Sequence, residues 1–369
     1  MSAQIRPPRP MRIAAEGLCS ALGYTLPRTV AAIRARLNLF RETRFVGLGG
    51  KPVVGAPVHG FDIWGGQRQA ALLRMAFDEA WERARLEEGE SLSPQSTALL
   101  LMLPSASQPA TPLRELHEAF QAVTTDHRLH PGSRAMHAGR GGIADGVLLA
   151  SHLLEDGIDG TEAIRHVVLL ASDSLLTAPT IDRLLAQRRL AEDRHTGVLI
   201  PGEAAAAVVL TRLATRADMT EVWITGAASG QDDWRIDGDE PLRAQALTAA
   251  LREAARQSGV AVADAEFHAS GMNGEHWMAR EIELAMSRAM ERKRVEFPHH
   301  RIAQFIGDAG TAGAVATLGW IAHEMRALGT IGHAGTAGLG RTGLLHFAED
   351  DGRRSALMLR TREPAQDTA

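Results

Sequence analysis

Cysteine is almost absent from this chain: Cys19 is the only one among 369 residues. An intrachain disulfide is therefore excluded, and a reducing, cytoplasmic compartment is expected. Long apolar runs are missing too. The stretch Ala204–Leu210 falls far short of the roughly 20 residues that a membrane helix needs. There is no basic excess: 40 Lys and Arg stand against 44 Asp and Glu, a net charge of −4, which argues against a nucleic-acid partner. The N-terminal segment MSAQIRPPRPMRIAAEGL carries Arg and Pro but no apolar core of a signal peptide. Residues 1–10 read as a disordered lead-in.

What is there is an ordinary globular composition, 45% hydrophobic and 23% charged. Met11–Ala15, Ser96–Leu103, His166–Ala171 and Ala204–Leu210 read as strands. Helical spacing runs through residues 26–37, 67–86, 112–123, 139–155 and 180–190. Residues 47–58 read as a loop with a short strand. In the second half, Val222–Ala228 and Ala265–Ala269 are strands, and 241–259, 275–292 and 310–328 are helices. Thr342–Phe347 and Ser355–Leu359 form a closing hairpin. Strands alternating with helices predict α/β layers. A faint repeat supports two related halves, residues 11–215 and 216–369. Ala138-Gly139-x-x-Gly142…His152 matches Ala309-Gly310-x-x-Gly313…His323 at one constant offset.

Four segments carry a resemblance. In HTGVLIPGEAAAAVVLTRL (195–213), Gly202-Glu203 runs straight into a small-residue strand. The others are GLCSALGYTLPRTVAAIRARL (17–37), VVLLASDSLLTAPTIDRLLAQRRLAED (167–193) and FHASGMNGEHWMAREIELAM (267–286). The chain resembles the β-ketoacyl-acyl-carrier-protein synthases of the thiolase-like superfamily over residues 11–361. That resemblance implies a five-layered α-β-α-β-α fold with two pseudo-symmetric halves. In the fourth segment, Glu281 falls on the family's acidic position.

The family's catalytic set is a Cys, two His and a Lys. The resemblance places Arg140 at the nucleophile, Ser270 and Asp308 at the histidines, and Ala303 at the lysine. A nucleophile at a buried helix N-terminus gains from the positive helix end and from backbone N–H groups that hold an oxyanion. A guanidinium does neither job, and it stays protonated. No Cys, Ser or Thr lies between Ser133 and Ser151, so a shift of register restores no nucleophile. An Asp308 carboxylate would repel a developing anion. The family's C-terminal turn, which carries backbone oxyanion contacts and a gating Phe, is replaced by AEDDGRR (348–354). Arg140 either pairs with an acid, Asp308 or Asp145, or faces a bound anion. Asp308 also suits the cap of the helix that follows it. Ser270 reads as a satisfied core polar group, and Cys19 as a buried structural thiol.

Other motifs carry less. Gly338-Leu339-Gly340-Arg341-Thr342-Gly343 fits GxGxxG but neither follows a clear strand nor opens a helix. Ser105, Ser172 and Ser270 lack a G-x-S-x-G elbow. Glu349–Gly352 reads as a hairpin turn. Arg28, Arg34, Arg36, Arg41 and Arg44 read as scattered surface charge, although a carrier-protein surface would use such a cluster. His299 and His300 lack ligand partners at metal spacing and read as a surface pair, so neither a metal nor a cofactor is expected.

The expected function is that of a non-catalytic partner or scaffold. One form resembles the chain-length-factor subunits of type II polyketide and aryl-polyene synthases. The other resembles thiolase-like proteins associated with type VI secretion, to which the PGEAAAA and MNGEHW segments point; its partner would be a secretion effector or adaptor. The alternative is an acyltransferase with a rearranged site that meets an acyl carrier protein. The family dimerises by strand pairing, and the apolar strand His166–Ala171 is the predicted interface for a homodimer or a heterodimer with a related subunit.

Overall fold

A computed structural model describes residues 9–108, 112–158, 160–191, 197–214, 220–331 and 339–362. The chain opens with β1 (Met11–Ser20), α1 (Leu26–Arg34), a hairpin of β2 (Arg41–Val46) and β3 (Pro52–Gly55), and the long α2 (Gly65–Glu88). Then come β4 (Thr97–Leu103), α3 (Leu113–Asp126), β5 (Arg134–His137), α4 (Ile143–Asp156), β6 (His166–Ser174), α5 (Ala178–Ala186) and β7 (Glu203–Thr211). The second half has β8 (Glu221–Gln231), α6 (Gln245–Ser258), β9 (Phe267–Ser270), α7 (His276–Ala289) and β10 (His299–Arg301). It ends with α8 (Ala303–Ile306), α9 (Gly310–Ile331), β11 (Thr342–Ala348) and β12 (Arg353–Arg362).

The strand order states the duplication directly. Ten strands run β10-β9-β11-β12-β8-β1-β7-β6-β4-β5. The centre of that run is thin, since β1 and β8 meet only at Met11↔Ile224 and Arg12↔Trp223. On either side lie five strands. Taken in chain order within each half, both fives are arranged 3-2-4-5-1. The directions match too: β5, β4 and β6 are parallel, then β7 and β1 antiparallel. Likewise β10, β9 and β11 are parallel, then β12 and β8 antiparallel.

Five layers result. Helix α2 covers the outer face of the first sheet, α4 and α9 fill the middle, and α6 covers the outer face of the second sheet, backed by α7. Strand β7 shows how the sequence specifies this. Ala205, Ala207 and Val209 face α2, while Ala204, Ala206, Val208 and Leu210 join the central cluster with α9. Both faces are apolar because both are covered by helix. The small residues allow close approach. A Cβ at Gly17 of β1 would sit 2.1 Å from the Ala76 carbonyl oxygen of α2.

The structure corrects several sequence expectations. Strand β6 is not an edge: β4 and β7 flank it, and all of it is buried. Its apolar character on both faces reflects interior placement, not a waiting partner. Among the described residues the edge strand of this half is β5, on the far side of β4, too short and too mixed in composition to stand out in the sequence. Strand β10 was hidden for the same reason, and His299 and His300 lie half-buried within it instead of forming a surface pair. Residues 47–58 do hold a loop and a short strand, as expected, and that strand, β3, pairs with β2. Residues 1–8 of the expected lead-in, the 215/216 boundary and Gly338 of the glycine motif lie outside the described residues. No helix among the described residues is long and apolar enough to cross a membrane.

Candidate functional site

The two central helices begin alike. Gly139 before α4 and Gly310 at the start of α9 both have positive φ, 61° and 53°. Gly139 has ψ −175°, a backbone conformation open almost only to glycine. Each glycine also makes room for a carboxylate. A Cβ at Gly139 would lie 2.6 Å from Glu349 Oε2, and one at Gly310 would lie 2.1 Å from Asp173 Oδ2. The next residue donates its backbone N–H to that same oxygen. Arg140 N donates to Glu349 Oε2 at 2.7 Å, and Thr311 N donates to Asp173 Oδ2 at 2.9 Å. Each positive helix end is thus met by an internal carboxyl group.

The Arg140 side chain is buried and turns inward. Its Nη1 lies 2.5 Å from Asp308 Oδ2, and its Nε donates to the Ala348 carbonyl at 3.1 Å. Nη2 lies 3.7 Å from Glu349 and 3.6 Å from Asp350. The Arg140–Asp308 contact is the pairing that the matched helix starts suggest; Asp145 is not the partner found. Asp308 is tied down on its other sides, by Asn273 Nδ2 at 2.6 Å and by the N–H of Gly310 at 2.9 Å. The latter bond is the capping role that its position before α9 suggests. A second guanidinium continues the network. Arg189 is forked onto Glu275, at 2.7 and 2.8 Å, and onto Asp350, at 2.7 and 3.0 Å.

The signature strand anchors this cluster. Gly202 N donates to the Asp308 carbonyl at 2.8 Å, and Asp308 N donates to the Ile200 carbonyl at 2.7 Å. A Cβ at Gly202 would lie 2.2 Å from the Ile306 carbonyl oxygen, so glycine is required by close approach. Glu203 turns away and pairs with buried Arg68 at 2.5 Å. That pair borders a separate cavity of about 460 Å³, where Arg44 stacks 3.8 Å over Trp64.

Ser270 Oγ is 2.7 Å from His299 Nε2 and accepts the Met272 N–H at 3.2 Å, so it is a satisfied core group. Ala303 opens α8 and brings only a methyl group. Cys19 is buried, and burial pushes its thiol up to about 12. Glu349, Asp350, Arg189 and Glu275 were not singled out in the sequence as members of this site. The EDDG stretch is a turn between β11 and β12, as expected, but its first two acids fold inward.

Charge balance sets the protonation states. Two guanidinium groups face four carboxylates. Burial disfavours the Arg140 charge, but Asp308, Glu349, Asp350 and Glu275 together hold its pKa above the ordinary value. Burial raises Glu349, against the pull of Arg140, while Arg189 and Arg140 overcome burial and hold Asp350 low. Burial also pushes Asp173 up to about 7, aided by Asp308 and Glu349. A folded-state value above the unfolded one means that the native form binds the extra proton. This group's contribution is therefore most favourable in acid and is lost as pH rises towards 7. Asp173→Asn is expected to gain about 1–3 kcal/mol relative to the parent between pH 5 and pH 8. Urea unfolding at the two pH values checks this, and an unchanged difference would refute it.

No family model and no curated protein matches the sequence. Solved structures do match. A chain of the complex between a type II polyketide synthase acyl-carrier protein and its ketosynthase aligns with TM-score 0.77 and 12% identity, over 96% of this chain and 99% of that one. The fold is that of the ketosynthases. The ketosynthase–chain length factor complex of Xenorhabdus doucetiae matches with TM-score 0.70 and 12% identity, over 98% of this chain and 100% of that chain. The ishigamide ketosynthase/chain length factor matches with TM-score 0.67 and 17% identity, over 95% and 99%. Within this ketosynthase fold, the mouth of α4 presents a guanidinium and carboxylates, not a thiol between imidazoles. Such a group can hold charge and position backbone.

Proposed function

We propose that the chain is a non-catalytic ketosynthase-like subunit, serving as partner or scaffold to another protein. The observation that carries this reading is the locked helix end. Arg140 stands where the resemblance puts the nucleophile, and its N–H, the natural oxyanion donor, is already given to Glu349 at 2.7 Å. Asp308 stands at one histidine position and neutralises Arg140 instead of stabilising an anion. Ser270 and Ala303 stand at the remaining vestigial positions. The names of the similar structures include ketosynthases with chain length factors and one with an acyl-carrier protein. By analogy, the partner here is a related ketosynthase-like subunit, met across the open edge of β5. A secretion effector or adaptor is the second kind of partner, favoured by the segments PGEAAAA and MNGEHW.

The purified chain alone is expected to show no decarboxylation of malonyl-carrier protein and no condensation of acyl thioesters. Arg140→Cys is expected to stay inactive, because groups that act as a unit recover little when one is restored. Mass spectrometry of the carrier protein reads both reactions. Turnover by the parent chain, abolished by Ser270→Ala, would establish the acyltransferase alternative and overturn this reading.

A further inference from the structure

Three histidines converge beneath the vestigial site. Strand β9 lies between β10 and β11, all three parallel. Its register sets His299 beside His268 and His346 beside Ser270. Side chains two residues apart share a face, so His268, His299, His346 and Ser270 all point the same way. The imidazoles pack closely. His268 and His299 stack with centroids 4.0 Å apart and planes at 14°, and His268 and His346 are 5.3 Å apart at 15°. His268 Nδ1 is 3.0 Å from His346 Nε2. One ring nitrogen from each of the three lies within 4.8 Å of the others.

We propose that His268, His299 and His346 form a binding site for a divalent d-block cation of the zinc class. Ligand type and spacing support it. Neutral imidazole suits zinc, cobalt, nickel and copper far better than magnesium or calcium. Nitrogens bound at about 2.0–2.1 Å to a tetrahedral ion stand about 3.3 Å apart, within the 4.8 Å that spans this set, and the stacked rings of His268 and His299 must tilt out of parallel to aim both lone pairs at one ion. Three protein ligands leave the fourth position open for water. Ser270 Oγ, 2.7 Å from His299 Nε2, either orients that ring or gives up its bond as the ring turns to the ion. His299 is only partly buried and gives the ion its way in.

The test uses the full chain stripped with a chelator and titrated with Zn2+ or Co2+ alone. One ion per chain is expected by calorimetry, with the intense visible bands of tetrahedral Co2+ and a raised melting temperature. His346→Gln is expected to weaken uptake more than about tenfold. His152→Gln, at an exposed position, is expected to leave it unchanged. X-ray absorption on the zinc-loaded parent keeps the test independent of how the variants fold: an inner shell with three imidazole nitrogens is expected. Absent stoichiometric uptake, an all-oxygen shell, or full uptake by the chain lacking all three histidines would each overturn the site.

Discussion

Arg140→Met is expected to cost about 3–5 kcal/mol of folding stability, because it leaves Asp308, Glu349 and Asp350 buried together without their shared cation. Asp308→Leu alone is expected to cost less, since Glu349 and Asp350 still balance Arg140, although Asn273 and the N–H of Gly310 lose an acceptor. The double change is expected to fall short of the sum of the two by at least about 1 kcal/mol. Chemical denaturation of the four proteins measures this coupling. Simple additivity would show that the Arg140–Asp308 contact contributes nothing. The Arg140→Met deficit is also expected to shrink in acid, where the abandoned carboxylates take up protons.

Arg354→Met is expected to be as damaging, about 3–5 kcal/mol, through a different part of the molecule. Arg354 is fully buried on β12, and its Nε donates to Glu281 Oε1 at 2.7 Å. Nη1 donates to the Glu349 carbonyl at 2.8 Å, and the guanidinium lies 5.6 Å from the rings of both Trp234 and Trp277. One side chain thus fastens the turn bearing Glu349 and Asp350 to helix α7. Burial raises the Glu281 carboxyl even beside Arg354, so losing the cation leaves an acid that takes up a proton readily. Arg354→Met with Glu281→Leu should restore much of the loss. A melting temperature unchanged in Arg354→Met would refute the role.

The sequence made some of this arrangement readable, and geometry hid the rest. Gly139 and Gly310 were visible as a repeated pattern because one backbone requirement recurs at both central helices. Gly202-Glu203 was visible because close approach to the Asp308 loop tolerates only glycine. From these and the resemblance, Arg140 and Asp308 could be brought face to face. Glu349, Asp350, Arg189 and Glu275 could not: they arrive from loops and from the helix ends beside them, where no periodicity marks an inward turn. The three histidines were invisible for another reason. They meet only because β9 lies between β10 and β11, and that order is set by crossover connections and not by chain sequence. Taking β6 for an edge was the same error in reverse. An apolar strand announces that it is covered, but not by what.

The middle layer joins the two halves in a way that their matching strand orders conceal. Helix α9 belongs to the second half, yet it packs on β7, β6 and β1 of the first sheet. Helix α4 belongs to the first half, yet it rests on β8 and β12 as well as on β6 and β4. Each sheet therefore receives part of its inner cover from the other half. Cutting the chain between β7 and β8 would expose the apolar inner face formed by Ala204, Ala206, Val208 and Leu210. The duplication is visible as architecture, but it does not yield two autonomous folding units. Unfolding should be a single cooperative event, and a polypeptide emerging from the ribosome cannot complete its first sheet until α9 has been made.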